Sequence, residues 1–391
     1  MGFSSVKLQD NTYVANTYGR FDLCLVKGKN ATATDINGKS YIDFGSGIGV
    51  NSLGYCNDAW AQAVCAQVQT LNHTSNLYYT LPGTQLAEKL CKKTGYEKVF
   101  FGNSGAEANE GMIKAARKYS SDKYSHRRSE IIVLQNSFHG RTITTLAATG
   151  QEVFHKNFTP LTAGFCYAVA GNLADVESKI TPNTCAVMVE MIQGEGGVVA
   201  LDKNFVQQLA ALCAKNDILL LDDEVQTGMG RTGTLLACEQ LGVKPNIVSL
   251  AKGLGGGLPI GAVLFDEKTK NTLGISDHGS TFGANPIVCA GAMVVADTLT
   301  DTFLAEVTAK SKHIFAAVGK MPHVKSVSGL GLMIGVEFED VAGRDVVQKC
   351  MEKGVLFLTA KHKLRMLPPL TITLAEIEKG LAVLQEVLTE I

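Results

Sequence analysis

The sequence of 391 residues has no uninterrupted apolar stretch of about 18 residues, the length that a membrane-crossing helix requires. Its amino terminus, MGFSSVKLQDN, lacks the apolar core of a secretory signal. A soluble, unexported, cytoplasmic protein is expected. No block of lysine and arginine stands out, and the formal net charge is only −1. Neither nucleic acid nor an anionic membrane surface is therefore expected as a partner, and small molecules fit better.

Cysteine is not scarce, but paired cysteine is. The ten cysteines are scattered, with no C-x-x-C pair and no nearby histidine at metal-ligand spacing. Most lie in apolar runs, where a reduced cysteine acts as a small hydrophobe. A reducing compartment is expected, with neither a disulfide framework nor a metal site. Apolar residues make up 46% of the chain and charged residues 19%, a globular balance without a disordered segment. The length suggests about two domains.

Between residues 95 and 265, short apolar runs alternate with helical patterns, as in a parallel sheet covered on both faces. Ile131–Leu134, Cys185–Val189, Ile218–Leu221 and Ile247–Leu250 read as strands. Ala108, Met112, Ala116 and Tyr119, and likewise Phe205, Leu209 and Leu212, recur at helical spacing. Thr373 with Glu376 predicts a capping box ahead of a last helix faced by Ile377, Leu381, Leu384 and Leu388. Pro286 opens a connecting helical segment over 286–310. The expected organisation is an N-terminal segment 1–45 packed with a small C-terminal domain 311–391, and a large domain 46–285.

Four segments carry chemistry. In IVSLAKGLGGGLPIGA, Lys252 follows an apolar strand and precedes a glycine-rich turn. A buried amine loses its proton more readily than a free one and can form an imine with a carbonyl. The plainer explanation is a strand-end lysine reaching to water. The glycines lack G-x-G-x-x-G between a strand and a helix, which weighs against a dinucleotide fold. In ILLLDDEVQTG, Asp222, Asp223 and Glu224 end a buried strand, where open α/β sheets bind ligands. A carboxylate there could keep a pyridine nitrogen protonated, or could simply be an acidic turn.

FFGNSGAEANEGMIKAARKY is a strand, a turn and a helix whose N-terminus suits a phosphate. Ser104 and Glu107 also satisfy a capping box, which needs no ligand. SFHGRT puts Phe138 and His139 beyond a strand end, where an aromatic ring could stack on a flat cofactor or join the core. Arg141 could grip a carboxylate through two parallel hydrogen bonds.

Together these motifs resemble the class III, fold-type I aminotransferases. The likeness runs from TYGRFDLCLVKG to LRMLPPLTIT, with NSGAEANE, FHGRT, VEMIQGEGG, DEVQTGMGRTG, SLAKGLGGGLPIGA and GSTFGANP in the family's order. It implies an α/β fold with a mixed, mostly parallel seven-stranded sheet, helices on both faces, and a smaller α+β C-terminal domain. It implies pyridoxal 5′-phosphate, with Lys252 as imine lysine and proton carrier and Asp223 on the pyridine nitrogen. Ser104, Gly105 and Ala106 would hold the phosphate and Phe138 would stack on the ring. His139, Glu190, Glu224, Val225 and Gln226 would complete its surroundings.

Thr281 would reach the neighbouring subunit's phosphate, making a homodimer with shared active sites. Within the family the motifs come closest to enzymes that act on N-acetylornithine. That likeness implies Arg141, with Ser280, on the donor's α-carboxylate, and Arg365 on that of 2-oxoglutarate or glutamate. Glu195 would pair with Arg365 while the donor is bound, and the pathway would be arginine biosynthesis. Related ω-aminotransferases that take succinyldiaminopimelate, succinylornithine, ornithine, 4-aminobutyrate or putrescine share these motifs, and a mutase or decarboxylase on the same fold is a further alternative. Met191 and Asp222 depart from the family, which often has proline and an apolar residue there. Asp222 leaves open which acid faces the ring.

Overall fold

The computed structural model describes residues 2–124 and 126–391. Its centre is a seven-stranded sheet in the spatial order Lys98–Gly102, Gly261–Phe265, Ile247–Leu250, Leu219–Asp223, Thr184–Val189, Glu130–Leu134 and Phe165–Ala168. Gly261–Phe265 runs antiparallel to both neighbours, and the pairings among the five strands beyond it are parallel. Strands buried on both faces have no polar side to show, so they read as unbroken apolar runs.

The alternation of side chains along these strands divides the core in two. Ile132, Val187, Leu220 and Val248 join one cluster with Phe205, Val206 and Leu209 of the helix Lys203–Lys215. Ile131, Met188, Leu219, Leu221 and Val263 join the other, with Ala108, Met112 and Ala116 of the helix Gly105–Lys123. The strand expected at Ile218–Leu221 is found at Leu219–Asp223 and so carries both aspartates. Continuing the alternation puts Asp223 on the Gly105–Lys123 side and Asp222 on the other.

The segment 286–310 is not one helix. Pro286–Thr298 and Asp301–Val318 meet at 74° across a short break. No single helix among the described residues is long and apolar enough to cross a membrane. A second sheet pairs Val324–Leu330, Met333–Phe338, Lys363–Met366 and Leu358–Ala360. A third joins Leu25–Lys29, Thr32–Asp35 and Ser40–Asp43 to Val355–Leu356, far along the chain. The last helix, Leu374–Glu390, has the Thr373–Glu376 capping box, and Asn30 Nδ2 donates to the same glutamate at 2.9 Å.

Candidate active site

A cavity of about 510 Å³ opens at the carboxyl ends of the central parallel strands, where such sheets place their ligands. Each strand delivers residues as it ends: Asn103–Ala106, Phe138–Arg141, Glu190, Asp223, and Ala251–Lys252 all line it. Val225 and Gln226 come from the turn after Asp223, and Val50 enters from the amino-terminal side.

Lys252 has a left-handed φ of 39°, a conformation a non-glycine residue adopts only when its surroundings impose it. Burial pushes its ammonium down to about 8; Arg365 pushes the same way, against the carboxylates of Glu195, Asp223 and Glu190. The neutral amine is thus far more populated near physiological pH than in a free lysine.

Asp223 is buried and fully engaged. Oδ2 accepts from Asn109 Nδ2 at 2.7 Å and lies 2.8 Å from His139 Nδ1, while Oδ1 accepts from Val225 N at 3.1 Å. Ser249 Oγ, 2.6 Å from Asn109 Oδ1, holds that amide in place. Glu190 accepts from the Phe138 N–H at 2.9 Å, and burial together with Asp223 holds its carboxyl well above the usual range.

The helix Gly105–Lys123 begins at the cavity. Ser104 Oγ caps it by accepting from Glu107 N at 3.1 Å. The expected reciprocal bond shifts by one residue, since Glu107 accepts from Asn103 N instead of Ser104 N. The first-turn N–H groups of Gly105 and Ala106 have no partner within a helix, and both residues line the cavity, which suits them to an anion. A Cβ at Gly105 would stand 2.7 Å from Val225 Cγ1, so only glycine fits the cradle.

Arg365, on Lys363–Met366, is buried and donates to Glu195 Oε1 at 2.6 Å and Gln226 Oε1 at 3.2 Å. Burial works against the Glu195 carboxylate, but Arg365 overrides it and keeps it below the usual range. Arg141 lines the cavity with its guanidinium stacked on Phe154, 4.1 Å from the ring centroid.

Five expected site residues lie outside the cavity's lining: Glu224, Ser280 and Thr281, and the pair Glu195 and Arg365, which reaches it through Gln226. Glu224 turns to the opposite face from Asp223, accepting from Thr227 Oγ1 at 2.6 Å and Cys238 N at 2.9 Å, so it cannot contact a ligand in this cavity. Ser280 lies with Thr281 in an adjoining groove of about 530 Å³, outside the wall that carries Arg141. Asn103 borders both spaces and donates to Ser280 Oγ at 3.0 Å. Asn109, Ser249 and Phe154 were not anticipated. The first two had a signal, as polar residues on an apolar helix stripe and in an apolar strand; Phe154 lies in a short 3-10 turn and had none.

A buried lysine that gives up its proton readily, a fixed acid and an anion cradle on this fold suit one cofactor, pyridoxal phosphate, and the architecture is that of the fold-type I enzymes that use it. The chain belongs to the class III aminotransferases: the family model described as aminotransferase class-III matches residues 13–388. It is 55% identical to the acetylornithine aminotransferase of Haemophilus ducreyi over 392 aligned positions, covering 100% of both chains. It is 44% identical to that of Methanocaldococcus jannaschii over 98% of this chain and 97% of the other.

Among solved structures, ornithine aminotransferase from Toxoplasma gondii ME49 superposes with a TM-score of 0.95 at 31% identity, covering 100% of this chain and 96% of that one. N-acetylornithine aminotransferase from Stenotrophomonas maltophilia K279a gives a TM-score of 0.84 at 34% identity, covering 98% of each.

Proposed function

We propose that this chain transfers the terminal amino group of N-acetylornithine to 2-oxoglutarate, giving N-acetylglutamate 5-semialdehyde and glutamate, as a step of arginine biosynthesis in the cytoplasm. The observation that carries the reading is the asymmetry of the two arginines. Arg141 lines the cavity with no ion-pair partner among the described residues, while Arg365 is masked by Glu195 at 2.6 Å. A site that alternates between substrates differing by a carboxylate needs one permanent and one maskable guanidinium, because an unpaired buried cation is costly.

The cofactor supplies a carbonyl that condenses with amines and a ring that takes up electrons. Lys252 would hold the cofactor's carbonyl carbon and, as a free amine, would move a proton at the substrate carbon. Asp223, held by Asn109 and His139, would keep the ring nitrogen protonated. Ser104, Gly105 and Ala106 would hold the phosphate, Phe138 would lie against the ring, and Glu190, Val225 and Gln226 would line its surroundings. Arg141 grips the donor's α-carboxylate, and Arg365 grips that of 2-oxoglutarate after Glu195 swings away.

Thr281 and Ser280 are best used across a two-fold homodimer, each completing the neighbour's site. The exposed side chains of Leu77, Tyr78 and Tyr79 (85%, 71% and 101%) support this, because Asn76 beside them is tied to the carbonyls of Ser280 and Gly283. An apolar patch continuous with that groove suits a subunit contact.

The test is the visible absorption of the cofactor-loaded protein. Addition of N-acetylornithine without any oxo acid should change the spectrum, and 2-oxoglutarate should restore it. A spectrum that responds to ornithine, 4-aminobutyrate or putrescine but not to N-acetylornithine would reassign the donor.

A further inference from the structure

Behind the cofactor wall lies a second acid for which the site has no use. Asp222 is wholly buried, and neither of its carboxylate oxygens has a hydrogen-bond partner among the described residues. One of them lies within 4.8 Å of a carboxylate oxygen of Glu224 and of Cys238 Sγ. Glu224 is itself buried, already accepting from Thr227 Oγ1 at 2.6 Å and Cys238 N at 2.9 Å.

The titratable groups facing this pair are Cys238 beside it, Asp223 and Glu190 across the sheet, Tyr96, and Glu239 beyond Glu224. Tyr96 spends its hydroxyl proton on the Pro245 carbonyl at 2.7 Å, and none of the others is a cation. Two neighbouring carboxylates without a counter-charge cannot both ionise in such a place. An acid with no other partner beside a well-bonded carboxylate is the arrangement in which the two share one proton.

We propose that Asp222 stays the neutral acid and donates its proton to Glu224, making this carboxyl pair the positioning element for the turn Val225–Gln226. Glu224 pins that turn from behind, through Thr227 Oγ1 and, by its own carbonyl, Gly228 N at 2.9 Å. Val225 then presses on Gly105 at the anion cradle, and Gln226 meets Arg365. Burial, and next Glu224, drive the Asp222 carboxyl well above the usual range, in agreement with the geometry. An apolar residue would fill the space but could not donate.

Infrared spectroscopy of the intact holoenzyme tests this. A protonated carboxylic acid gives a carbonyl-stretch band, which should be present at neutral pH, shift in D₂O and lose its Asp222 component in Asp222→Asn, whose amide donates to Glu224 without titrating; any remainder belongs to the raised Glu190 carboxyl. A native proton that the unfolded chain does not hold also costs stability as pH rises. Above the ordinary carboxylate range, the unfolding equilibrium constant of the unsubstituted protein should grow about tenfold per pH unit relative to Asp222→Asn.

The infrared band needs no variant, so the test survives a failure of Asp222→Asn to fold. Absence of the band in the unsubstituted protein would overturn the proposal. So would one metal ion per chain in the purified protein that is lost in Cys238→Ala, since a cation would then hold the two carboxylates as anions.

Discussion

The guanidinium of Arg141 lies over the ring of Phe154, 4.1 Å from its centroid, and 5.7 Å from that of Phe138. Stacking on a ring face leaves the in-plane N–H donors free for a carboxylate. Phe154→Leu removes the platform and keeps the charge. Loss of a cation–π contact of about 1 kcal/mol should raise the KM for N-acetylornithine roughly fivefold. The half-reaction with 2-oxoglutarate, assigned to Arg365, should change little. Single-turnover kinetics of each half separate the two, and equal losses would remove Phe154 from the donor site.

Lys252, with its ammonium held at about 8, sets the pH dependence of cofactor capture. Only the neutral amine attacks, so the rate at which apoprotein takes up pyridoxal phosphate should rise about tenfold per pH unit below that value and flatten above it. Substitutions at the neighbours should move the midpoint in opposite senses. Glu195→Gln removes a charge that favours the ammonium and lowers it; Arg365→Leu removes one that opposes it and raises it. The unfolded chain binds more protons between about 8 and the ordinary lysine value of about 10.4, so apoprotein stability should gain from this group as pH rises through that window. Stopped-flow absorbance and apoprotein melting against pH provide the checks.

Gly105→Ala should weaken cofactor binding without unfolding the chain, because the added methyl stands 2.7 Å from Val225 Cγ1 at the mouth of the phosphate cradle. Overpacking of this kind costs about 1–3 kcal/mol, or roughly 5- to 160-fold in the dissociation constant. The double variant Gly105→Ala/Val225→Ala should recover most of the loss. Cofactor titration of the three variants gives the cycle, and additive losses would show that the two side chains do not meet.

Trp60, the only tryptophan, donates its indole N–H to the Gly255 carbonyl at 3.0 Å, three residues beyond Lys252. Its emission should fall when the cofactor binds, and Trp60→Phe should remove that signal. Loss of the hydrogen bond should also cost about 1 kcal/mol of stability. Unquenched emission in fully loaded protein would place the cofactor away from the Lys252 turn.

The sheet was legible because strands buried on both faces must be apolar throughout, as Ile247–Leu250 is. The strand ahead of Asp223 was read too short for the converse reason, that aspartate is disfavoured in strands. Extending it by two residues is what decides that Asp223 faces the cavity and Asp222 the far side. Lys252 and Asp223 carry chemical type and position in the sequence itself. The pairing of Arg365 with Glu195 does not; 170 residues separate them, and only the family resemblance joined them beforehand. Phe154 and the seat of Ser280 depend on irregular chain, which leaves no periodic trace.

The hydrogen bonding of Ser40–Asp43 to Val355–Leu356 bears on how the polypeptide is made. Phe44 N donates to Leu356 O at 2.8 Å, and Leu367 N donates back to Phe44 O at 2.6 Å. A nascent chain therefore emerges with one edge of its first sheet unmatched, and on the order of 15–60 s of further translation must pass before the partner leaves the ribosome. Throughout that interval Ser40–Asp43 is an open template for pairing with other chains. Arg365, the maskable guanidinium, is synthesised later still, so a nascent chain can assemble its anion cradle before it can bind both substrates.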